Sequence, residues 1–225
     1  MVLVTVVVPV LDDTAAIRRL LPQLLSSQDI EVIVVDGRQE ASLADDTLRV
    51  RVIRSAPGRA VQMNAGAAVA SGTWLLFLHA DSLLPDGWMD HLRSLDGVAG
   101  GWFRFALDDP AWQARVIERL TNLRVRMARL PYGDQGIFVR RNVFCDLGGF
   151  RPLPLMEDVE FVRRLVRAGR VVELPLAVRT SSRRWRADGW WRRSLRNMLL
   201  VTLYFAGVSP HRLARGYESR SAPRE

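Results

Sequence analysis

The stretch that most constrains the fold is a run of five apolar residues at 74–78, which ends abruptly in His79, Ala80 and Asp81. An apolar run of this length, with Gly72 just before it, is typical of a strand that is buried on both faces. Ligands of open α/β sheets bind at the carboxyl ends of the strands. The run therefore predicts a buried strand with a site at its end. Capping of a turn is an equal alternative for Asp81.

Apolar and amphipathic stretches alternate along the first hundred residues. Strands are predicted at 3–10, 30–35, 50–53 and 73–78, and helices at 15–25, 59–70 and 88–95. Strands and helices that alternate in steps of roughly thirty residues are typical of a doubly wound parallel α/β sheet with helices on both faces. Thr14 is the expected N-cap of the first helix, because its hydroxyl can accept a hydrogen bond from a backbone N–H.

The second half of the chain departs from this rhythm. Strands are predicted at 100–105, 136–139, 171–174 and 176–178, and helices at 111–130, 158–168 and 189–206. Gly100 and Gly101 begin the first of these strands, and small residues there indicate a close approach by another part of the molecule. A chain of 225 residues is long enough for one α/β domain with a substantial core. We expect a flexible tail only at 219–225.

The basic residues constrain the function in two ways. All 32 of them are arginine, which excludes a phosphate-loop NTPase and a Schiff-base mechanism, since both need a lysine. The net charge of +8 is concentrated in residues 101–225, which carry 24 arginines against 12 acidic residues. A basic half indicates an anionic partner, and nucleic acid, a membrane surface and a phosphorylated substrate all remain open.

Cysteine content and hydrophobic segments bear on the compartment. Cys145 is the only cysteine, so no intrachain disulfide is possible, which fits a reducing cytoplasm, and we expect this residue to be a small core residue. The apolar amino terminus runs straight into two aspartates and is interpreted as a strand, not a signal peptide. The apolar stretch at 198–208 is about half the ~20 residues that a transmembrane helix needs. We expect a cytoplasmic protein, with attachment to the inner face of the membrane as an open alternative.

Polar residues stand where several predicted elements begin or end. Asp36 ends the second predicted strand, where a carboxylate could accept a hydrogen bond from a nucleobase or a ribose; a simple turn is an equal alternative. Arg59 follows Pro57 and Gly58 at the start of a helix, where backbone N–H groups and a guanidinium can bind a phosphate. No Gly-x-Gly-x-x-Gly motif follows the first strand, so this is not the dinucleotide-binding fingerprint.

Carboxylates supply two further candidate sites. Asp81, together with His79, could hold Mg²⁺ or Mn²⁺ against a diphosphate, because these ions accept few protein ligands when phosphates complete the shell. Glu157 and Asp158 stand at the start of a helix, where a carboxylate could remove the proton from an acceptor hydroxyl. Helix capping is the alternative for Asp158. Asp134 adds another carboxylate in the sequence Tyr-Gly-Asp-Gln-Gly at 132–136.

The segment from Arg179 to Arg196 combines seven arginines and three tryptophans with one acidic residue. Nucleic acid binding uses this mixture of charge and stacking. An anionic lipid surface or a diphosphate leaving group would use it equally well. For the tryptophans at 190 and 191, a core helix with a solvated basic face is the alternative to membrane contact.

Taken together, these motifs resemble those of family-2 glycosyltransferases of the GT-A fold, most closely a small bacterial subgroup of selenodomain-associated transferases. The resemblance covers nearly the whole chain. It rests on Val-Val-Pro-Val-Leu-Asp-Asp at 7–13, Val-Val-Asp-Gly at 34–37, Pro-Gly-Arg-Ala at 57–60, Gln-Met-Asn-Ala-Gly at 62–66, Leu-His-Ala-Asp at 78–81, Tyr-Gly-Asp-Gln-Gly at 132–136, Met-Glu-Asp at 156–158 and Arg-Trp at 184–185.

The resemblance implies a GT-A-type mixed sheet in one domain at 1–218. Residues 1–100 would form a Rossmann-like half that binds the nucleotide sugar, and residues 101–218 the acceptor half. It also implies an inverting transfer from a nucleotide-sugar donor, which we expect to be a UDP sugar, to an unknown hydroxyl acceptor that is a small molecule or lipid-linked. A divalent metal, Mg²⁺ or Mn²⁺, would assist.

The resemblance assigns roles to particular positions. Asp158 would be the catalytic base, with Glu157 as the second choice, and Asp81 with His79 would contact the metal. The donor would be bound by Pro9, Asp12, Asp36, Arg59, Asn64, His79, Ala80, Asp81, Arg183, Arg184 and Trp185. The chain departs from the family pattern at His79, which replaces the first aspartate of an Asp-x-Asp motif, and at Ser181, which replaces a glutamine.

Two alternatives to an enzyme stay open at this stage. One is a sugar-nucleotide binder without catalysis, which His79 makes conceivable. The other is a nucleic-acid-binding protein that uses the arginine- and tryptophan-rich segment, although that hypothesis leaves Asp36, Asp81 and Asp158 unexplained. We therefore expect no nucleic acid partner. The oligomeric state is not predicted.

Overall fold

A single sheet of eight strands organises the chain in the computed structural model, which describes residues 2–11, 13–26, 29–38 and 50–218. The strands are β1 (Val4–Val10), β2 (Ile30–Asp36), β3 (Val50–Arg54), β4 (Trp74–Phe77), β5 (Ser82–Leu83), β6 (Gly100–Leu107), β7 (Ile137–Arg140) and β8 (Val171–Thr180). The helices are α1 (Thr14–Leu25), α2 (Arg59–Ala68), α3 (Trp88–Arg93), α4 (Trp112–Ala128), α5 (Arg141–Asp146), α6 (Glu157–Ala168), α7 (Arg183–Asp188), α8 (Trp190–Phe205) and α9 (Pro210–Glu218). A short 3₁₀ turn covers Gly133–Gln135.

The strand order is β3-β2-β1-β4-β7-β6-β8-β5. The first four strands in this order are parallel to one another, and β7 then runs antiparallel to both β4 and β6. Strands β6 and β8 are parallel, and β5 closes the edge in the antiparallel sense. The sheet is therefore mixed, as the resemblance implied.

The central strands form because both of their faces are apolar and both are covered. On one face, Val6, Val8, Val32 and Val34 pack in a cluster that includes the apolar side of α1. On the other face, Val7 and its neighbours on β2 pack with α2 and α6. Strands buried on both sides need continuous apolar runs, and the first two strands consist largely of the β-branched residues valine and isoleucine, which favour extended backbone.

Several predicted boundaries need correction. Asp13, not Thr14, caps α1, since its carboxylate accepts the backbone N–H of Ala16 at 3.1 Å. The two strands predicted at 171–174 and 176–178 are one strand, β8. Its pairing with β6 shifts register between Phe103 and Arg104, and this irregularity accommodates Pro175, which has no N–H to donate.

Three elements were missed, and one prediction of burial was wrong. Strand β5 and helices α7 and α9 were not predicted. Cys145 is exposed, so its expected core role is wrong. The close approach expected at the start of β6 is confirmed, because a Cβ at Gly101 would collide with the backbone carbonyl of Val172 on β8. The flexible tail predicted at 219–225 lies outside the described residues, as does Asp12.

Within the described ranges, no helix combines the length and the apolar character needed to cross a membrane.

We expect Gly66→Ala to destabilise the fold. A Cβ at this position on α2 would collide with Cγ1 of Val7 and lie 3.0 Å from Cγ2 of Val35, both in the core. Overpacking of this kind costs about 1–3 kcal/mol, more than the ~1 kcal/mol that alanine gains over glycine in a helix. Urea unfolding would measure the loss, and Ala68→Ser, at an exposed position of the same helix, is the control. Equal stability of the two variants would contradict this close packing.

Candidate active site

The predicted site residues come together at one edge of the sheet because the strands that carry them are parallel. Strands β1, β2 and β4 point the same way, so Asp36 and the residues after β4 end at a common edge. Helix α2 begins at that edge with Arg59. The carboxyl edge of the sheet is thus where the first half presents its polar groups.

An ion pair joins this edge to the second half of the chain. Nε of Arg59, at the start of α2, lies 2.8 Å from Oε1 of Glu157, at the start of α6. The Glu157 side chain is only 2% exposed, and its Oε2 is buried without a hydrogen-bond partner among the described residues. Burial raises the pKa of Glu157, the positive charge of Arg59 opposes that shift, and the negative charge of Asp158 adds to it. The first turn of α6 is therefore held against α2 by an ion pair whose carboxylate is buried.

Asp158 is oriented by two backbone N–H groups. Its Oδ2 accepts a hydrogen bond from the N–H of Gly133 at 2.6 Å, and its Oδ1 accepts one from Val159 at 2.7 Å. The residue before the pair, Met156, has φ of 67°, a left-handed conformation that is uncommon for a non-glycine residue. Strained backbone of this kind concentrates at functional sites. Here it precedes the first turn of α6, in which the side chains of Glu157 and Asp158 are both buried.

His79 and Asp158 lie on either side of Gly133. A Cβ built on this glycine would be 3.0 Å from Nε2 of His79 and 3.2 Å from Oδ2 of Asp158. Only a residue without a side chain fits comfortably between them. The end of β4 and the start of α6 thus meet at the 3₁₀ turn that begins at Gly133.

The pKa of His79 is lowered to about 3, first by burial and then by the positive charges of Arg59 and Arg184. The imidazole is therefore neutral at any ordinary pH. A neutral ring keeps one nitrogen lone pair, which can accept a hydrogen bond or bind a metal. The two arginines also show that the cation at the start of α2 and the cation of α7 act on the same histidine.

Asp134 is the most perturbed carboxyl group of the cluster. Burial raises its pKa to about 7, the negative charges of Asp158 and Asp81 push it in the same direction, and Arg124 and Arg59 oppose the shift. Its Oδ1 is buried and lacks a hydrogen-bond partner in the described part of the chain. Three carboxylates therefore surround one region that also feels Arg59, and such perturbed groups are typical of functional sites.

These acidic groups do not form a protein-only metal cage. Among the residues that the structure describes, no three His, Cys, Asp or Glu side chains form a group that could hold a metal ion. Mg²⁺ and Mn²⁺ also bind through one or two carboxylates when substrate phosphates supply the remaining oxygens. The orphaned oxygen of Asp134, with Asp81 close enough to shift its pKa, fits that second mode.

Other residues that were predicted to bind the nucleotide-sugar donor lie at the same edge of the sheet. The contacts given below for them do not include Asp81, Asp134 or Asp158. The buried carboxylate of Asp36 accepts the N–H of Arg38 at 2.9 Å. Pro9 lies near the end of β1, and Ala80 packs against the core below the sheet edge. For Asp12, which lies outside the described residues, the assignment stays a prediction.

Asn64 is engaged within the scaffold. Its amide nitrogen donates to the carbonyl of Phe150 at 2.7 Å, and its Oδ1 accepts the N–H of the same residue at 2.9 Å. These two bonds tie α2 to the segment that leads into α6. Asn64 therefore helps to place Glu157 and Asp158, and its amide is not directed at a ligand in this structure.

The arginine–tryptophan pair of α7 is split between surface and core. Arg183 and Arg184 are both exposed. Arg183 pairs with Oδ2 of Asp13 at 2.8 Å, and the positive charge of Arg184 acts on His79. Trp185 is buried, with its ring 6.0 Å from that of Phe105. Stacking on a ligand would need an exposed ring, so Trp185 acts as a support for α7.

Two supporting residues escaped the sequence analysis. Asp109, just before α4, accepts two hydrogen bonds from the guanidinium of Arg186 on α7, at 2.5 and 3.0 Å, and a third from Ser182 at 2.7 Å. These bonds hold the pKa of Asp109 well below its usual range. The N–H of Gly133 is the other, since a backbone donor leaves no mark in a sequence.

Comparisons with known proteins agree with this geometry. The family model Glycosyl transferase family 2 matches residues 5–145, more than half of the chain. MT1568, an uncharacterized protein of Mycobacterium tuberculosis, is 29% identical over 206 residues, which cover 77% of this chain. The chain spans 65% of the length of that relative.

Solved structures of the same architecture are glycosyltransferases. S. aureus TarS 1-349 superposes with a TM-score of 0.60 at 16% identity, over 94% of this chain and 68% of that one. The mannosyltransferase PcManGT from Pyrobaculum calidifontis, in complex with GDP-Man and Mn²⁺, superposes with a TM-score of 0.62 at 18% identity, over 88% of this chain and 61% of that one. TarS 1-349 in complex with UDP-GlcNAc superposes with a TM-score of 0.60 at 16% identity, over 80% of this chain and 58% of that one.

The fold is thus that of the GT-A glycosyltransferases, as the resemblance implied. The chain belongs to glycosyl transferase family 2. The smaller subgroup stays a prediction.

We expect Asp134→Asn to stabilise the protein at pH 8 in the absence of divalent metal. Because the pKa of Asp134 is about 7 in the folded protein and 3.8 as a free group, its stability contribution falls as the pH rises through this range. The amide cannot ionise, so the melting temperature of the variant should exceed that of the wild type by about 2–4 °C at pH 8, the shift that ~1 kcal/mol gives in a chain of this size. The gain should shrink at pH 5.5.

Scanning calorimetry in EDTA at the two pH values would measure this difference. The control is Asp146→Asn, which removes an exposed carboxylate from α5 and should give the same small change at both pH values. A gain for Asp134→Asn that does not depend on pH would show that the carboxyl group does not titrate in this range.

Proposed function

We propose that this chain is an inverting glycosyltransferase that moves a sugar from a nucleotide-sugar donor, a UDP sugar, to a hydroxyl acceptor in one displacement. The observation that carries the proposal is the convergence of Asp158, Asp134, Asp81 and His79 with the guanidinium of Arg59 at the carboxyl edge of a GT-A sheet. Such a site offers carboxylates to an acceptor and cations to a diphosphate. Membership of glycosyl transferase family 2 supports the same reaction.

Asp158 is the better candidate for the catalytic base. Its two N–H donors occupy one lone pair on each carboxylate oxygen, so the remaining pairs can accept the proton of an acceptor hydroxyl. Glu157 is paired with Arg59 and almost fully buried. In this proposal Asp158 takes the proton as the acceptor oxygen attacks the anomeric carbon, and Glu157 positions Arg59.

The leaving group of the reaction is a nucleoside diphosphate, which gains negative charge as the glycosidic bond breaks. Arg59 and Arg184 both act electrostatically on His79, so they flank the region where the diphosphate would lie. Arg183 stands beside Arg184 at the exposed start of α7. Preorganised cations of this kind are usually the largest catalytic contribution in such displacements.

A divalent metal, Mg²⁺ or Mn²⁺, fits this site as a partner of the donor diphosphate. Asp81 would hold it, with the neutral imidazole of His79 as a second ligand. When bound, the ion would supply Lewis-acid stabilisation of the diphosphate. The structure of PcManGT in complex with GDP-Man and Mn²⁺ supports a metal in this fold.

The donor nucleotide is the finer part of the proposal. Among proteins of similar fold, TarS has been solved with UDP-GlcNAc and PcManGT with GDP-Man. The resemblance of the motifs favours UDP. The acceptor would be a small molecule or lipid-linked, and residues 101–218 would bind it.

Asp158→Asn should lower kcat by about 10²–10⁴-fold, which is the usual contribution of general acid–base catalysis. Donor binding should survive, because the amide oxygen of asparagine can still accept the N–H of Gly133. Release of the nucleoside diphosphate, by transfer or by donor hydrolysis, would measure the rate. Asp146→Asn is the matched control. Unchanged turnover in Asp158→Asn would remove this residue from the role of base.

A nucleotide sugar should raise the melting temperature, and Mn²⁺ should strengthen that effect only when the donor is present. A ligand at 100 times its Kd stabilises a protein by about 2.7 kcal/mol, or about 5–10 °C in a chain of this size. UDP and GDP sugars would be compared, with and without Mn²⁺. In the Asp81→Asn variant, the part of the rise in melting temperature that depends on Mn²⁺ should disappear.

The same panel tests the proposal against its rival. Donor binding without transfer or hydrolysis would indicate a non-catalytic nucleotide-sugar binder. A stronger response to GDP sugars than to UDP sugars would correct the donor. No response to any nucleotide sugar would contradict the proposed function as a whole.

A further inference from the structure

Helix α8 presents its apolar side chains to the solvent. The only residue of this 16-residue helix that is classed as buried is Arg193, which pairs with Asp188 at 2.6 Å. Its exposed apolar residues recur at helical spacing on one side of the helix: Trp191, Leu195, Met198, Leu199 and Phe205. Helices normally turn such a stripe towards the core, so this one is oriented for contact with something outside the chain.

Helix α4 carries a second exposed apolar stripe beside the first. Its inner side, with Ala114, Ile117 and Val125, is already buried in the core. Its outer side exposes another row at helical spacing: Trp112, Leu120, Leu123 and Met127. The rings of Trp112 and Trp191 lie 5.9 Å apart, although they are 64% and 45% exposed, so the two stripes meet at this pair.

We call this surface the α4/α8 face and define it by Trp112, Leu120, Leu123, Met127, Trp191, Leu195, Met198 and Leu199. Along α4 the face extends over 15 residue steps, roughly 20 Å of helix, and along α8 over 8 residue steps, roughly 12 Å. Monomeric proteins rarely expose a continuous apolar surface of that extent.

The exposed charged residues of helices α4 and α8 are all arginines. Helix α8 contains no acidic residue, and the only one in α4 is Glu118, which is buried and pairs with Arg115. Exposed arginines, in contrast, stand beside the apolar rows: Arg119 precedes Leu123 by one turn, and Arg192 precedes Leu195 by three residues. The partner of this face must therefore accept apolar side chains and positive charges together.

We propose that the α4/α8 face docks on an anionic lipid bilayer. Amphipathic helices that lie in a membrane interface combine leucine and tryptophan on one side with arginine at the border. Tryptophan favours the headgroup level, and each basic residue near an anionic surface adds to the attraction. The face has all three components. This inference concerns binding to a surface and does not depend on the proposed catalytic function.

A second copy of the chain is the less suitable occupant. A symmetric dimer through the α4/α8 face would bring the arginines of one copy close to those of the other, with no exposed acidic residue on either helix to compensate. Like charges across an interface oppose association. A bilayer with anionic headgroups satisfies both the apolar stripes and the arginines.

Co-sedimentation with vesicles tests the proposal. The full chain should bind vesicles of phosphatidylcholine with 30% phosphatidylglycerol at about 0.1 M salt, and bind pure phosphatidylcholine far more weakly. Arg119→Gln with Arg192→Gln should lower the partition coefficient by about 25-fold, about fivefold for each charge. The matched control is Arg18→Gln with Arg19→Gln, which removes two exposed arginines from α1. Absence of binding by the wild type, or equal losses in the two double variants, would overturn the proposal.

Fluorescence quenching separates insertion from adsorption by charge alone. Phosphatidylglycerol vesicles with brominated acyl chains should quench Trp112 and Trp191, and Trp112→Phe with Trp191→Phe should remove most of the quenching while binding persists. Binding without quenching would overturn the apolar half of the proposal. Light scattering completes the test: a stable dimer that Leu195→Glu dissociates would assign the face to a second copy.

Discussion

The ion pair between Arg59 and the buried carboxylate of Glu157 is the interaction on which the rest of the site depends. It joins the first turn of α2, which follows the parallel strands, to the first turn of α6, which belongs to the second half of the chain. The two hydrogen bonds between Asn64 and Phe150 reinforce the same junction one turn further along α2. Loss of Arg59 would leave the Glu157 carboxylate, which is only 2% exposed, buried without its counter-charge, and that costs far more than the pair contributes. The junction is therefore difficult to separate once it has formed, and it holds Asp158 beside the end of β4.

The site is electrostatically unfavourable for the isolated protein. Burial and mutual repulsion raise the pKa values of Asp134 and Glu157, and Met156 adopts a left-handed backbone at the turn between them and the core. A fold selected only for stability would place apolar or hydrogen-bonded groups there. A ligand that brings both a cation and phosphate oxygens would relieve the repulsion and use the arginines. The cost of the site in the free protein is thus consistent with pre-organisation for a charged substrate.

Much of the fold could be predicted from the sequence, because strands buried on both faces leave continuous apolar runs and the order of motifs was specific. The carboxylates at 81, 134 and 158 were recognised as candidate site residues because each stands where a predicted element begins or ends. What escaped prediction depends on contacts between residues far apart in the chain. Asn64 bonds to Phe150, 86 positions away in the chain. Trp185 packs beside Phe105. Strand β8 stays one strand across Pro175 because its pairing with β6 shifts register there. None of these partners is visible in a local window.

The excess of arginine in the second half divides among distinct physical roles once the structure is known. Arg186 and Arg193 anchor α7 and α8 through Asp109 and Asp188, so part of the basic charge maintains the scaffold. Arg184 acts on the site through His79. For Arg119 and Arg192, which are exposed beside the apolar rows of α4 and α8, the described part of the structure shows neither role. Of the three tryptophans in the segment 179–196, only Trp191 is strongly exposed. A continuous stacking platform for nucleic acid would need more than one exposed ring, so the segment offers positive charge combined with an apolar surface. Composition alone could not separate a membrane from a nucleic acid, and the burial of Trp185 removes one of the three rings that stacking on nucleic acid would use.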